Sequence, residues 1–383
     1  MPLHVSIDVC VNESNLYADY IVPNLTYLEG QYSVMSPHAP ALKFSTVRVP
    51  AIEPVTGKTK DGRPFGMETF MIDVAEYLQL PGFGEKAIPG PDGSSFPLHC
   101  AEDYYIRGLA NLAKNAKVEA ASAEEVKFVE ENYPFAKYKA LLPEAEWQQV
   151  CAVAARGGVF KHAYDKLFEN GNHKYGIPRF AIFNEKLARA RNSITGKPFV
   201  GTVTLSHATD ATGGDIAAQD KDFPLTAITY KMNVHGQSRT NCHKWAMEIF
   251  PENMAVMHTD DAAKLGVKKG DKVRVISRDC PQGIVIAAQP SSLVRKGCVA
   301  ISFHYGHKQM GASELEIADV ETAVLGGATV GSNGKLKGDP RLGGGANFNE
   351  LGRLDATIGN TPLVDALGGI PDFSSTRVRI ERA

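Results

Sequence analysis

Between residues 223 and 305 the chain is divided into short apolar runs, and this spacing constrains the fold more than any other feature. The runs are rich in Val and Ile and are separated by turn residues such as Gly, Pro, Asp and Lys. They are Phe223–Lys231, Met254–His258, Lys272–Arg278, Gly283–Gln289 and Cys298–Tyr305. Runs of this kind are typical of strands in a small β-barrel or sandwich. We therefore expect a compact barrel with one short buttressing helix, Thr259–Gly266, that begins at a side-chain cap and ends at the glycine.

The first half of the chain combines candidate strands with amphipathic helices. Alternation of apolar and polar residues predicts a strand over His4–Val11, and Tyr20–Val22 follows as a second short strand. Helical periodicity and capping signals predict helices at Glu68–Leu80, Glu102–Asn115, Ser122 to about Asn132, Pro143–Gly157 and Phe160–Glu169. In the first of these helices, the face expected to be buried consists of Phe70, Met71, Val74 and Leu78. This half is therefore predicted to contain a helical layer.

Composition excludes several classes of function. A formal charge of −2 over 383 residues gives no electrostatic basis for binding nucleic acid. The six cysteines lie far apart without a Cys-x-x-Cys spacing, which favours isolated core thiols over a zinc site or an iron–sulfur cluster. No apolar run reaches the roughly 18 residues of a membrane helix, and the Met1-Pro2 start does not resemble a signal peptide. We expect no nucleic-acid partner, no metal site and no direct membrane insertion for this chain.

The polar turn after the first barrel strand, residues 232–240, concentrates groups that can bind an anion or a heterocycle. Arg239 can donate a forked pair of hydrogen bonds to a phosphate or a ring carbonyl, and Ser238 and Thr240 supply hydroxyls. His235 lies at the tip of the same turn. The turn is therefore a candidate binding site, and the alternative is a turn whose side chains only cap its own backbone.

The order of these motifs resembles the C-terminal molybdopterin-dinucleotide-binding domain of the dimethyl-sulfoxide-reductase superfamily, which is a double-psi β-barrel. The motifs that carry the resemblance are Phe223–Thr226, His235–Thr240, Asp261–Val273, Lys296–Val299, Gly345–Leu351 and Thr376–Ile380. Upstream, residues 12–30 resemble the segment that closes the family's large α/β region before the barrel. Within the superfamily, Pro81–Gly84 and Phe303–His307 are most similar to the catalytic subunits of tetrathionate and respiratory arsenate reductases. The similarity spans nearly the whole chain.

The resemblance implies an α/β region plus a β-barrel. Residues 1–191 would be the end of the α/β domain with its helical insert, 192–222 a crossing segment, and 223–383 the molybdopterin-dinucleotide-binding double-psi barrel. The superfamily's early cysteine cluster and metal ligand have no counterpart in this sequence. We therefore expect the chain to be the C-terminal portion of a larger catalytic subunit, with the metal ligand outside it.

The implied cofactor is bis(molybdopterin guanine dinucleotide) with molybdenum or tungsten, and the iron–sulfur cluster would belong to the missing N-terminal part. The residues assigned to the cofactor are Asn233, His235, Gly236, Ser238, Arg239, His304, Tyr305, Gly306, Asn347 and Asn349. For His304 and His307 the alternative is a buried histidine satisfied by backbone groups, and one of the two asparagines could serve only to brace its loop. Asp260 and Asp261 are better explained by the start of a helix than by catalysis.

The implied reaction is reduction of an oxyanion, with tetrathionate first and arsenate, selenate and thiosulfate as alternatives. The partners would be the N-terminal portion as a separate chain, together with iron–sulfur electron-transfer and membrane-anchor subunits on the periplasmic side. Alone, without an export signal, the chain would be cytoplasmic. Candidates for the substrate funnel are Pro37-His38 and residues 173–191. Two other interpretations are a non-catalytic molybdopterin-binding barrel and an inactive fragment.

Overall fold

The computed structural model describes residues 2–30, 44–90, 92–160, 168–170, 172–173, 181–316, 324–325, 328–329 and 335–383. They belong to two compact units. The first is drawn from Met1–Cys10, Ser14–Pro178 and Ile317–Gly334, and the second from Val11–Glu13, Arg179–Glu316 and Lys335–Ala383. The funnel candidates Pro37 and His38, and residues 174–180, lie outside the described residues. The domain boundaries at residues 191 and 223 stay a prediction.

Helices form the core of the first unit. They are α1 (Met67–Tyr77), α2 (Ala101–Asn115), α3 (Ala123–Asn132) and α4 (Glu144–Ala155). The predicted capping box begins α3, because Ser122 Oγ accepts from the Glu125 amide and the Glu125 carboxylate accepts from the Ser122 amide. Trp147 of α4 is fully buried and packs with Leu109 of α2 and Val129 of α3. The predicted helical layer is therefore confirmed for α2, α3 and α4.

Helix α1 buries a different face from the one predicted. Its buried residues are Thr69, Ile72 and Ala75, whereas Met71 and Leu78 are 56% and 57% exposed. The hydroxyl of Thr69 donates to the Pro64 carbonyl at 2.9 Å, so this polar residue is satisfied on the buried side. The prediction was wrong because α1 has apolar residues on two faces, and hydrophobicity alone does not say which face is covered.

Short strands complete the first unit. The longer ones are β1 (Val5–Asp8), β2 (Tyr20–Pro23), β3 (Phe44–Thr46), β4 (Gly84–Pro89), β5 (Ser95–Leu98) and β6 (Gly158–Phe160). Two-residue strands form two further pairs, Phe168–Glu169 with Asn172–His173 and Val324–Leu325 with Ala328–Thr329. Strands β1 and β2 are parallel, and β3–β6 and β4–β5 are antiparallel. The helix predicted over Phe160–Glu169 was wrong at both ends: Phe160 ends β6, and Phe168–Glu169 pairs with Asn172–His173. Gly158 has φ +143 and a Cβ there would overlap the Ser45 carbonyl, so the glycine permits the close pairing of β6 with β3 in which Phe160 takes part.

The second unit contains a closed six-stranded barrel, which confirms the predicted fold class. Its strands are β7 (Leu225–Tyr230), β8 (Met254–Met257), β9 (Lys272–Ser277), β10 (Ile284–Pro290), β11 (Cys298–Ser302) and β12 (Thr376–Arg382). Around the barrel they are ordered β8–β10–β9–β12–β7–β11. The pairs β8–β10 and β7–β11 are parallel, and the remaining pairs are antiparallel.

The barrel interior follows the alternation seen in the sequence. Buried side chains recur at every second position, because successive residues of a strand face opposite sides. They include Ala255 and Met257, Val273 and Val275, Ile286 and Ala288, Val299 and Ile301, and Val378 and Ile380. These residues form one continuous hydrophobic core.

Short helices lie between and before the barrel strands. They are α5 (Glu185–Arg189), α6 (Ile216–Gln219), α7 (Lys244–Ile249) and α8 (Thr259–Lys264). Helix α8 is the predicted buttress, and Ala262 packs on the barrel core. Its cap is the His258 side chain, which accepts from the Asp260 amide, and Gly266 follows with φ +64. Across the described ranges, no helix combines the length and the apolar character needed to cross a membrane.

Candidate functional site

Strand pairing brings the predicted site residues to one end of the barrel. Strands β7 and β11 are parallel, with Tyr230 opposite Ser302 at their carboxyl ends. Neighbouring parallel strands finish at the same edge, so the 232–240 turn and the 303–307 segment leave the barrel side by side. Gly306 donates its amide to the Gly344 carbonyl at 3.0 Å, which adds the 344–349 loop. We call these three stretches together the loop cluster.

Asn253, just before β8, ties the loop cluster together, and the sequence analysis missed it. Its Nδ2 donates to the carbonyls of Ser302 at 2.6 Å and Ala346 at 2.9 Å. Its Oδ1 accepts from the Ala346 amide at 2.9 Å. The side chain is fully buried, and every bond goes to backbone of another segment. A polar residue next to a barrel strand was the only sequence signal, and it did not reveal these partners.

The 232–240 turn is closed by its own side chains. Thr240 Oγ1 accepts from the Gly236 amide at 3.0 Å and lies 2.9 Å from His235 Nδ1. Gln237 has φ +58, the left-handed region that residues other than glycine rarely adopt. Backbone held in such a conformation tends to occur at binding and active sites. The turn therefore has a defined, strained conformation.

His304 supports this turn from the neighbouring segment. Its Nε2 accepts from the Met232 amide at 3.2 Å, and its Nδ1 donates to the Gln237 carbonyl at 2.7 Å. The Asn241 side-chain amide donates to the His304 carbonyl. The residue is fully buried. Both ring nitrogens thus bond to backbone groups. This agrees with the alternative given for His304 in the sequence analysis, a buried histidine satisfied within the fold.

His235 lies in a tightly packed aromatic group. Its ring stacks on that of His304 with centroids 5.4 Å apart and contacts the edge of Tyr305 at 4.9 Å. Burial, and then the neighbouring His304, hold the pKa of His235 below its ordinary value. Its Nε2 makes no well-aligned hydrogen bond within the described part of the chain. The Phe250 carbonyl acts to raise the pKa of His235, but burial and His304 outweigh it. We therefore expect this ring to be neutral near pH 7.

Tyr305 and Gly306 shape the next part of the cluster. Tyr305 is buried, its hydroxyl donates to the Phe250 carbonyl at 2.9 Å, and burial raises the pKa of that hydroxyl to about 12. Gly306 has φ +77, and a Cβ at this position would overlap the Asn347 amide nitrogen. The glycine is therefore required for the close approach of the 303–307 segment to the 344–349 loop.

The two candidate asparagines have different roles. Asn347 caps the short 3₁₀ helix Phe348–Leu351, because its Oδ1 accepts from the Asn349 amide at 3.0 Å. Asn347 therefore braces the loop. Asn349 is exposed, and the described residues offer its side-chain amide no hydrogen-bond partner. The amide of Asn349 is thus available to a ligand.

The remaining predicted residues lie on the outside of the turn. Asn233, Gly236 and Arg239 are exposed, and the side chain of Ser238 lies outside the described set. The structure therefore places Asn233, His235, Gly236 and Arg239 in one turn, beside the 303–307 segment. Whether each of them contacts a cofactor stays a prediction.

Glu13, which belongs to the second unit, bonds the end of the 303–307 segment and the two residues after it. Its Oε1 accepts from the amides of Lys308 at 2.7 Å and Gln309 at 3.0 Å, and His307 Nδ1 lies 3.2 Å from Oε2. Although burial acts to raise it, these bonds hold the pKa of Glu13 at about 2. Glu13 is thus an ionised anchor for the chain after His307.

The exposed donors of the loop cluster fit a pterin–guanine dinucleotide. Such a molecule presents an anionic pyrophosphate and heterocycles with paired donors and acceptors. The Arg239 guanidinium suits phosphate oxygens or a ring carbonyl, and the amides of Asn233 and Asn349 suit ring edges. The buried polar groups of His304 and Asn253 are used within the fold. Among the described residues, no cluster of three or more His, Cys, Asp or Glu side chains could hold a metal ion.

Comparison with known families identifies the barrel. Residues 225–329 match the family model described as the Molydopterin dinucleotide binding domain. This stretch contains β7–β11, the 232–240 turn and the 303–307 segment. The second unit therefore contains a molybdopterin-dinucleotide-binding domain, as the resemblance predicted.

Relatives of the chain extend the identification. A selenate reductase subunit of Mesobacillus selenatarsenatis is 34% identical over 100% of this chain and 37% of its own length. A tetrathionate reductase subunit of Archaeoglobus fulgidus is 35% identical over 80% of this chain and 29% of its own length. A tetrathionate reductase subunit of Salmonella typhimurium is 33% identical over 100% of this chain and 36% of its own length. The chain belongs to the dimethyl-sulfoxide-reductase superfamily. It spans about a third of the length of these relatives.

Proposed function

We propose that this chain binds a bis(molybdopterin guanine dinucleotide) cofactor as the C-terminal portion of a molybdenum or tungsten oxidoreductase that reduces an oxyanion. The observation that carries the proposal is the loop cluster, where the 303–307 segment, matched by the family model, bonds both the 232–240 turn and the 344–349 loop. The similarity of the whole chain to selenate and tetrathionate reductase subunits supports the same conclusion.

Within this proposal the exposed residues make the direct contacts. Arg239 donates to anionic oxygens, Ser238 adds a hydroxyl, and the amides of Asn233 and Asn349 bind heterocycle edges. The Gly236 amide is already used by Thr240, so Gly236 contributes by lacking a side chain where the ligand approaches the turn. The buried residues His235 and Tyr305 and the partly buried Gly306 and Asn347 shape the surface from below, and His304 acts from behind the turn. The bound metal–pterin group supplies the electrons for the reduction, and the side chains of this chain bind and orient it.

We propose tetrathionate as the first substrate to test and selenate as the second, because relatives with both names align with the chain. The two reactions differ in proton balance. Reduction of tetrathionate breaks one S–S bond with two electrons and gives two thiosulfates without taking up protons. Reduction of selenate to selenite consumes two electrons and two protons and releases water. Proton uptake per electron in an unbuffered assay therefore separates them, and arsenate and thiosulfate complete the panel.

The proposed assembly is larger than this chain. We propose that an N-terminal portion of the catalytic subunit provides the metal ligand and the first iron–sulfur cluster. Separate iron–sulfur and membrane-anchor subunits would deliver electrons on the extracytoplasmic side. The length of the relatives supports the first part of this assembly, since this chain accounts for only 37% of the selenate reductase subunit.

The experiment that tests the proposal is metal and nucleotide analysis of the protein isolated from its own cells. Molybdenum, tungsten and acid-released guanosine monophosphate are measured across a sizing column. We expect metal and guanine to elute with this chain, together with a second, larger polypeptide. A chain that elutes alone, without metal or guanine, would refute the enzyme assignment and favour an inactive fragment. Guanine and pterin without turnover of any oxyanion would favour a non-catalytic binding barrel.

A further inference from the structure

One buried imidazole connects several points of the candidate cofactor turn. His304 Nε2 accepts from the Met232 amide at the start of the 232–240 turn, and its Nδ1 donates to the Gln237 carbonyl in the middle. Its own carbonyl accepts from the Asn241 side chain just after the turn. The register of β7 and β11 explains the first contact, since Met232 and His304 each lie two residues past a paired strand end.

These bonds require a single form of the ring. Nδ1 must carry the proton and Nε2 must keep its lone pair, so only this neutral tautomer satisfies both backbone partners. His304 is fully buried, and water cannot replace a lost partner easily. Loss of either bond would leave a backbone group of the turn unsatisfied.

The bond to Gln237 acts where the backbone is strained. Gln237 has φ +58, a conformation that costs energy for a residue with a Cβ and persists only where surrounding contacts determine it. The turn's closing bonds, from Thr240 to Gly236 and His235, do not involve the Gln237 carbonyl. The His304 ring also stacks against His235 at 5.4 Å. His304 therefore contacts the turn both at its strained residue and beneath its tip.

We propose that His304 is a positioning residue, which fixes the 232–240 turn so that Asn233 and Arg239 face the dinucleotide, and which does not itself contact the cofactor. The inference deepens the proposed function and rests on it for the ligand. The geometry of the turn is a separate claim, which is measured in the chain without cofactor.

The test compares three substitutions of His304 in the full chain. His304→Asn places an amide nitrogen near the Nδ1 position and keeps a donor for the Gln237 carbonyl. His304→Gln places an amide oxygen near the Nε2 position and keeps an acceptor for the Met232 amide. His304→Leu removes both. Val273→Ala, a fully buried barrel position away from the turn, controls for general loss of stability.

Amide hydrogen exchange gives the first readout. We expect His304→Leu to speed exchange across residues 232–240 by at least about tenfold relative to Val273→Ala, since it removes two buried hydrogen bonds and the loss of even one contributes about a factor of ten. We expect the Met232 amide to stay protected in His304→Gln and to lose protection in His304→Asn. Equal exchange of the turn in His304→Leu and Val273→Ala would overturn the proposal. The Asn and Gln variants decide the same question if His304→Leu does not fold.

Guanine content gives the second readout, measured on the complex purified from its own cells. We expect His304→Leu to retain at most about a third of the acid-released guanosine monophosphate found with Val273→Ala, with His304→Gln or His304→Asn partly restoring it. A loosened turn with unchanged guanine would refute the positioning role. Absence of guanine from the wild-type complex would refute the proposed function instead, and hydrogen exchange would still decide whether His304 fixes the turn.

Discussion

Glu13 shows how one side chain can combine recognition of backbone with an electrostatic effect. Its carboxylate accepts bonds from the 307–309 stretch, and its pKa is about 2 instead of 4.5. A carboxyl whose pKa is lowered in the folded state stabilises the fold above its unfolded pKa. That stabilisation is lost as the pH falls through 4.5 toward 2. Acid should therefore release the chain after His307.

We expect the free energy of unfolding of Glu13→Gln to fall less than that of the wild type when the pH is lowered. Glutamine keeps an oxygen for the Lys308 and Gln309 amides and does not titrate. The Glu13 side chain is 40% exposed, so solvent screening reduces the effect to about 1 kcal/mol between pH 7 and pH 3. Urea unfolding at the two pH values measures it, with the exposed Glu350→Gln as the control. An equal loss of unfolding free energy between pH 7 and pH 3 in Glu13→Gln and in the wild type would contradict the role given to the Glu13 carboxylate.

The two asparagines of the 344–349 loop should separate stability from binding. Asn347 caps a short helix, so Asn347→Ala should lower the free energy of unfolding by about 1 kcal/mol. Asn349 is exposed, so Asn349→Ala should change stability by less than about 0.5 kcal/mol and still lower guanine content. Denaturant unfolding and acid-released guanosine monophosphate give the two readouts. Unchanged guanine in Asn349→Ala would remove this residue from the site.

At the scale of elements, the loop cluster depends on close approach of two backbone segments. Gly306 lies against Asn347, and Asn253 bonds both Ser302 and Ala346. The barrel strands supply the register, and the glycine removes the Cβ that would separate the segments. The geometry of the site is therefore set by contacts between segments, because no single loop contains all of its supports.

We expect Gly306→Ala to destabilise the barrel by about 3 kcal/mol, because it adds a backbone clash to the strain of a positive φ. Gly266→Ala is the matched control: Gly266 has φ +64 but has no atom within 4 Å of a built Cβ. It should cost only about 1 kcal/mol. Guanidinium unfolding of both variants measures the difference. Equal losses of unfolding free energy in the two variants would mean that the close contact of Gly306 with Asn347 adds no cost.

At the scale of the whole molecule, the two units have separate hydrophobic cores. Trp147 and Leu109 belong to the first core, and Ile301 and Val275 belong to the second. Every described residue of the loop cluster belongs to the second unit. A substitution in the first core should therefore lower stability without lowering cofactor content, whereas a substitution in the second core should lower both.

We expect Leu109→Ala and Ile301→Ala each to cost about 2–5 kcal/mol in the unit concerned, because both side chains are fully buried. Hydrogen exchange should rise in α2–α4 for the first and in β7–β11 for the second. Guanine content should fall with Ile301→Ala and stay near the wild-type value in folded Leu109→Ala. An equal loss of guanine in both variants would contradict the assignment of the site to the barrel unit.

The sequence by itself determined the elements whose patterns are local. Alternating apolar residues predicted the barrel strands, and the capping box at Ser122 predicted the start of α3. Family-like motifs predicted the domain and pointed to the turn at His235 and the loop at Asn347. These features depend on neighbouring residues or on fixed spacing, so they can be recognised along the chain.

Only the tertiary structure decided which polar groups meet. The Asn253 side chain donates to the Ala346 carbonyl, 93 residues further along the chain. The Glu13 carboxylate accepts from the Gln309 amide, 296 residues further along. Asp220 is buried in an ion pair with Arg353 at 2.8 Å. The buried face of α1, and the role of His304 as a support for the turn, likewise depend on partners far along the chain. A hydrogen bond or a covered surface is a property of two segments, and strand register determines which segments are neighbours.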